Sequence, residues 1–150
     1  MLFAAAARGG AVIAEASPAL EQGLHDYGLN IGIAFQLIDD VLDYTGDPAE
    51  MGKNIGDDLS EGKPTLPLIR AMATASTADA GLISQAIKEK SSAQLAEIVN
   101  IVQNCGALDY TSELAETYRL KALEGLKSLP ASPFVENLLA LADKAVRRAA

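Results

Sequence analysis

Seventeen residues, Gly28 to Tyr44 (GLNIGIAFQLIDDVLDY), limit the fold more than any other part of the chain. Leu29, Ile31, Ile33, Phe35, Leu37, Ile38, Val41 and Leu42 point in every direction around a helix. A helix that is apolar all round is a buried helix, so other elements must surround it. The rest of the composition says that those elements are helices too. Ala and Leu dominate the 49% of hydrophobic residues, aromatics are 5% and Trp is absent. Ala and Leu lead the helix-propensity scale, while β-branched and aromatic strand formers are sparse. An all-α fold is expected.

Punctuation divides the 150 residues into six or seven helices in one domain, a length that can bury roughly 70% of its unfolded surface. LFAAAARGGAVIAEA reads as helix from Leu2, with no capping residue before it. Ser17-Pro18 is an N-cap followed by proline at the first helical position, opening a helix that runs to about Tyr44. Gly46-Asp47-Pro48 ends it. Residues 46–63 form a polar loop with room for one helical turn. Pro64, Thr77, Ser91 or Ser92, and Ser132-Pro133 mark later starts, and Gly106 is a C-terminal cap. A helix from Leu108 to Leu129 carries Leu114, Tyr118, Ala122 and Leu126 in register.

Charge and cysteine usage exclude several functions. Twenty acidic against twelve basic residues give a net charge of −8, which offers no basic stripe for nucleic acid or anionic membrane. One Cys permits no intrachain disulfide and no multi-thiolate metal site, and it suits a reducing cytoplasm. No apolar run reaches the ~18 residues that a transmembrane helix needs. The apolar N-terminus lacks a basic n-region and Arg8 interrupts it, so it does not read as a signal peptide.

The chemistry lies in Asp39-Asp40-x-x-Asp43. Residues three or four apart on a helix are neighbours, so Asp39 and Asp43 share a face and Asp40 flanks them. Gln36 lies one turn earlier, and Gly32 and Gly28 continue the line, leaving a groove. Such triplets commonly form a solvated face. Here the surroundings are apolar, and buried unpaired carboxylates are costly. They either protonate or hold cations. Carboxylates with no His or Cys beside them suit Mg²⁺, which binds one or two of them and shares its other positions with water and phosphate. Lys53 and Lys63 are the only Lys or Arg residues between Arg8 and Arg70, and each follows a glycine. Lysine is a compact charge suited to phosphate. Acids, Mg²⁺ and lysines together make a diphosphate site.

The segment FQLIDDVLDYTGDPAEMGKNIGDDLSEGKPTLPLI resembles the second aspartate-rich region of trans-isoprenyl diphosphate synthases, most of all the long-chain, octaprenyl type. The similarity extends more loosely from Leu2 to about Val146. It implies an all-α helical bundle of the isoprenyl diphosphate synthase type and a likeness to that family's C-terminal half only, with residues 1–150 as the C-terminal part of a polyprenyl synthetase domain. It implies a prenyltransferase that joins isopentenyl diphosphate to an allylic diphosphate, yielding a long-chain quinone side-chain precursor, and a cytoplasmic homodimer.

By the same resemblance, Asp39 and Asp43 bind Mg²⁺ on the allylic diphosphate and Asp40 binds it directly or through water. Gln36 lines the site near the reacting carbon, and Lys53 and Lys63 contact the diphosphate. Asp39, Asp40, Gln36 and Lys53 are thus the catalytic candidates. Asp57 and Asp58 orient the loop or the waters on its metal.

The family needs two facing aspartate-rich motifs, and this sequence holds one. The chain therefore reads as the C-terminal half, inactive by itself. The alternatives are a class I terpene synthase fragment, which also uses DDxxD, and a noncatalytic helical partner subunit. Elsewhere, His25 reads as a surface or interface histidine and Cys105 as a buried small hydrophobe. Arg147-Arg148 suit the negative end of a helix. Tyr44 and Phe35 read as core.

Overall fold

A computed structural model describes residues 2–45 and 55–147. Among them it contains eight helices and no strand: α1 (Leu2–Ile13), α2 (Pro18–Thr45), α3 (Asp57–Ser60), α4 (Leu66–Thr74), α5 (Thr77–Glu89), α6 (Leu95–Asn104), α7 (Ala107–Leu126) and α8 (Pro133–Val146). The eighth beyond the expected count is α3, the single turn in the polar loop. Among the described residues no helix is long and apolar enough to cross a membrane.

Several starts follow their capping chemistry. Ser17 Oγ accepts the Leu20 N–H, Ser132 Oγ accepts the Val135 N–H, and Ser76 Oγ accepts the Asp79 N–H. Gly106, at φ 73°, takes the left-handed position after α6. Others differ from the sequence expectation. The first helix ends at Ile13, three residues short of Ala16. Glu15 adopts φ 52°, and the Ala16 N–H closes back to Ala11 O at 3.0 Å. That six-to-one closure terminates the helix. Pro64 does not open α4, because Thr65 takes the extended N-cap conformation and Pro67 enters the first turn. Ser91 and Ser92 build a turn instead of a cap: Ser91 Oγ accepts the Ala93 N–H and Ser92 O accepts the Leu95 N–H, so α6 begins at Leu95. The last three residues expected of α7, 127–129, instead form a turn in which the Lys127 N–H donates to Glu124 O and the Leu129 N–H to Leu126 O.

The described residues fall into two compact units, residues 2–38 with 114–147 and residues 39–113. Each has its own core. In the first unit, Tyr27, Ile31, Ala122, Leu126, Ala142 and Ala145 pack together, and the Tyr27 hydroxyl donates to Leu138 O at 2.8 Å. In the second, Tyr44, Leu59, Leu68, Ile83, Ile98 and Val102 form the centre. Helices α2 and α7 contribute residues to both units.

Glycine brings backbones together in the first unit. A Cβ on Gly28 would lie 2.4 Å from Phe3 O, and one on Gly125 would lie 2.4 Å from Gly23 O. The stripe Gly28–Gly32 is therefore not the open groove expected from the sequence. Helix α1 fills it, with the Phe3 backbone on Gly28 and the Phe3 ring on Gly32.

Candidate active site

Helix α2 presents its three acids at different depths. Asp39 and Asp40 are half-buried, whereas Asp43 is only 5% exposed and borders the fully buried Tyr44. The alternation follows from the register: Leu37, Ile38, Val41 and Tyr44 face the interior, and Asp43 lies beside the last two. The Asp43 carbonyl accepts the Gly56 N–H at 2.9 Å, tying the end of α2 to the start of α3. Gly56 sits at φ 77°, where a Cβ would collide with Leu95, so glycine is required there.

Three further groups surround Asp40. The Leu66 N–H at the start of α4 favours its ionised form, and Asp58 and Lys63 act on it through their charges. Burial pushes the Asp40 carboxyl up to about 6, helped by the negative charge of Asp58 and Asp39; the Leu66 N–H and Lys63 partly oppose this. Burial also raises the Tyr44 phenol above its ordinary range, with Asp43 adding to it.

Lys63 is exposed and held by acids. Its ammonium pairs with Glu61 and reaches Asp58 Oδ1 at 3.4 Å, and its N–H donates to Asp58 O at 2.9 Å. These pairs raise its pKa, Glu61 first. Exposed pairs of this kind contribute little to stability, so Lys63 can exchange a carboxylate for another anion at small cost. Lys53 lies outside the described residues, as do Gly46, Asp47, Pro48 and Arg148. Asp57 and Asp58 occupy the first turn of α3, where negative charge complements free N–H groups.

Gln36 belongs to the first unit. It is exposed and lines a cavity of about 500 Å³ with Leu2, Phe3, Leu29, Gly32 and Leu37. The second unit brings Asp39, Asp40, Asp43, Asp58 and Lys63 into one unit. Among the described residues no three Asp, Glu, His or Cys side chains form a ready-made metal cage. The donor set still fits Mg²⁺, which takes one or two carboxylates and completes its octahedron with water and phosphate. Burial first, and the charges of Asp58 and Asp39 after it, raise Asp40, and a cation nearby would oppose both.

Sequence reasoning did not find Leu66 or Thr65. Leu66 contributes a backbone donor, which leaves no mark in residue type. Thr65 was discoverable, since Thr two residues before Pro67 is a helix-start signal. Of the remaining expectations, Tyr44 is core and Phe35 packs on Phe3 with ring centroids 5.5 Å apart. His25 is half-buried, 3.2 Å from Asp26. Cys105 is half-buried where full burial was expected, because its Sγ lies beside the end of α6, 3.6 Å from Val102 O.

The family model described as polyprenyl synthetase matches residues 1–104. The octaprenyl diphosphate synthase of Escherichia coli (strain K12) is 45% identical over 148 residues, covering 98% of this chain and 46% of that protein. The all-trans-nonaprenyl-diphosphate synthase (geranyl-diphosphate specific) of Rhodobacter capsulatus is 44% identical over 147 residues, covering 98% and 45%. A crystal structure of polyprenyl synthase from Caulobacter crescentus CB15, complexed with calcium and isoprenyl diphosphate, superposes with a TM-score of 0.92 at 45% identity, covering 99% of this chain and 46% of that one. The chain spans about half the length of the curated relatives it matches. The match over residues 1–104 identifies the family: the chain belongs to the polyprenyl synthetases.

Proposed function

We propose that this chain is the C-terminal part of a polyprenyl synthetase domain and forms the diphosphate-leaving side of a long-chain polyprenyl diphosphate synthase. In that reaction the allylic C–O bond breaks and its electron pair departs with diphosphate. The double bond of isopentenyl diphosphate supplies the new C–C bond, and a proton is lost. The whole enzyme is proposed to act as a cytoplasmic homodimer. Mg²⁺ is the proposed metal; when bound it neutralises negative charge on the leaving group.

This chain's own residues bind and orient. Asp39 and Asp43 hold the ion, Lys53 and Lys63 take diphosphate oxygens, and Gln36 lines the site near the reacting carbon. The observation that carries the reading is the gathering of Asp39, Asp40, Asp58 and Lys63 at the junction of α2, α3 and α4, with Asp40 pushed up to about 6 by burial and neighbouring acids. Negative charge concentrated in that way, beside an exchangeable lysine, suits a cation and a phosphate together.

The test is calorimetric titration of inorganic pyrophosphate into the 150-residue chain, with and without Mg²⁺. Binding that requires Mg²⁺ is expected. Asp39→Ala should weaken it at least tenfold, whereas Asp109→Ala, at an exposed acid in the first turn of α7, should leave it as it was. Equal affinity of the two variants would sink the assignment.

A further inference from the structure

We infer that Gln103 is a positioning residue: its carboxamide, presented by α6, caps the end of α2 and fixes the turn that carries Asp43. The inference rests on the diphosphate reading above and adds a residue that acts through the backbone of α2, not by touching metal or diphosphate.

Three observations carry it. First, the end of α2 is closed by groups from outside that helix. The last four carbonyls of a helix have no partner within it. The last turn of α2 holds no basic side chain to meet them. Asp43 O instead accepts the Gly56 N–H at 2.9 Å, and Tyr44 O accepts an N–H of Gln103 Nε2 at 3.0 Å. The second bond joins residues 59 positions apart. The adjacent Asn104 uses its carboxamide locally, on Asn100.

Second, α6 is a firm mount. Ile98 and Val102 are fully buried in the core that also holds the Tyr44 ring. Gln103 follows Val102 and is itself exposed, so burial does not account for it. The other end of α6 reaches the same place. Leu95, its first residue, packs on Gly56 so closely that a Cβ there would collide with it. One helix of 10 residues thus holds Tyr44 O directly and backs the glycine that holds Asp43 O.

Third, Asp43 cannot adjust on its own. It is almost fully buried, and a side chain in close-packed surroundings keeps to few rotamers. Its carboxylate goes where the backbone of α2 goes. A metal ligand must stand within about 0.5 Å of its productive position, so a frayed last turn weakens ion binding without removing a ligand.

Gln103→Met keeps the length and the helix propensity of the side chain and loses the donor. Gln103→Lys keeps a donor of similar reach. Ile83→Val, at a fully buried position of α5, lowers the melting temperature and is the control for lost stability alone. Amide hydrogen exchange on the 150-residue chain should show Gly56, bonded to Asp43 O, protected in wild type and in Gln103→Lys. In Gln103→Met its exchange should be roughly three- to tenfold faster, as loss of one hydrogen bond implies, with the core amide of Ile83 unchanged. By calorimetry, Mg²⁺-dependent binding of inorganic pyrophosphate should weaken by a similar factor in Gln103→Met and stay as it was in Ile83→Val. Equal Gly56 exchange in wild type and Gln103→Met overturns the inference, as does Gly56 exchange as fast in Gln103→Lys as in Gln103→Met. So does unchanged pyrophosphate binding in Gln103→Met, or a loss as large in Ile83→Val. A wild-type chain that binds no pyrophosphate with Mg²⁺ overturns the diphosphate reading, and the Gly56 exchange then still decides the capping contact on its own.

Discussion

Asp40 and Tyr44 are separated by one helical turn and carry different burdens of burial. Asp40 has its carboxyl raised to about 6, against about 4 in an unfolded chain. The folded state therefore binds the proton more tightly. Protonation of Asp40 favours folding; that contribution is complete below about pH 4 and is lost as the pH rises through about 6. Asp58 and Asp39 add to the rise through their negative charge, and Lys63 opposes it. Without added divalent cation, wild type should lose melting temperature relative to Asp40→Asn between pH 5 and pH 7, by differential scanning fluorimetry. Parallel pH profiles for the two proteins would contradict the burial argument. Tyr44 is completely buried, and its hydroxyl finds no hydrogen bond of good geometry among the described residues; the same holds for Thr65 Oγ1 beside it. The ring is core, and the oxygen adds nothing to packing. Tyr44→Phe should change stability by less than about 1 kcal/mol, since no made bond is lost. Tyr44→Ala, measured by urea unfolding, should cost several times more, on the order of 3–5 kcal/mol.

At the scale of elements, the two kinds of helical glycine should respond in opposite directions. Gly81 in α5 has nothing within 4 Å of where a Cβ would stand, so Gly81→Ala should stabilise the chain by about 1 kcal/mol through helix propensity alone. Gly28 in α2 meets Phe3 O at 2.4 Å and Ala4 Cα at 2.8 Å, both of them backbone. Gly28→Ala should destabilise by roughly 1–3 kcal/mol, because α1 must move off α2. Thermal unfolding of both variants checks the contrast. The same two residues measure how much was legible. Both are plain glycines within helical pattern, and only the packing of α1 separates them. Starts written in side-chain chemistry, such as Ser17-Pro18 and Ser132-Pro133, stand where the sequence puts them. The end of α1 does not, because Glu15 adopts a left-handed conformation usually taken by glycine. Nor does the start of α4, where Thr65 takes the extended N-cap conformation without a side-chain bond and Pro67, not Pro64, enters the first turn. The acid triplet was legible because its residue types stand one helical turn apart. The Gly56 N–H that ties Asp43 O to the start of α3 was not, since every residue but proline has one.

At the scale of the whole molecule, the 150-residue chain holds one aspartate-rich cluster and covers 46% of the length of the Escherichia coli relative. Elongation requires the leaving diphosphate to be gripped while a second diphosphate is held at a fixed angle to it. In the proposed site, Asp39, Asp43, Lys53 and Lys63 would grip from one side only. Holding two reactants in register accounts for roughly 7–11 kcal/mol of a barrier, so a single wall should leave almost no rate. The first unit also leaves apolar side chains in solvent: Leu2 is 81% exposed, Ile13 87% and Phe134 79%. Apolar surface of that kind drives self-association. Two outcomes are therefore expected of the purified chain. With Mg²⁺, labelled isopentenyl diphosphate and a farnesyl diphosphate primer, it should form no polyprenyl product above background. In sedimentation velocity its mean mass should rise with concentration. Robust product from this chain would mean that one acidic cluster suffices for both gripping and alignment, and the account of the site as one wall of two would fail.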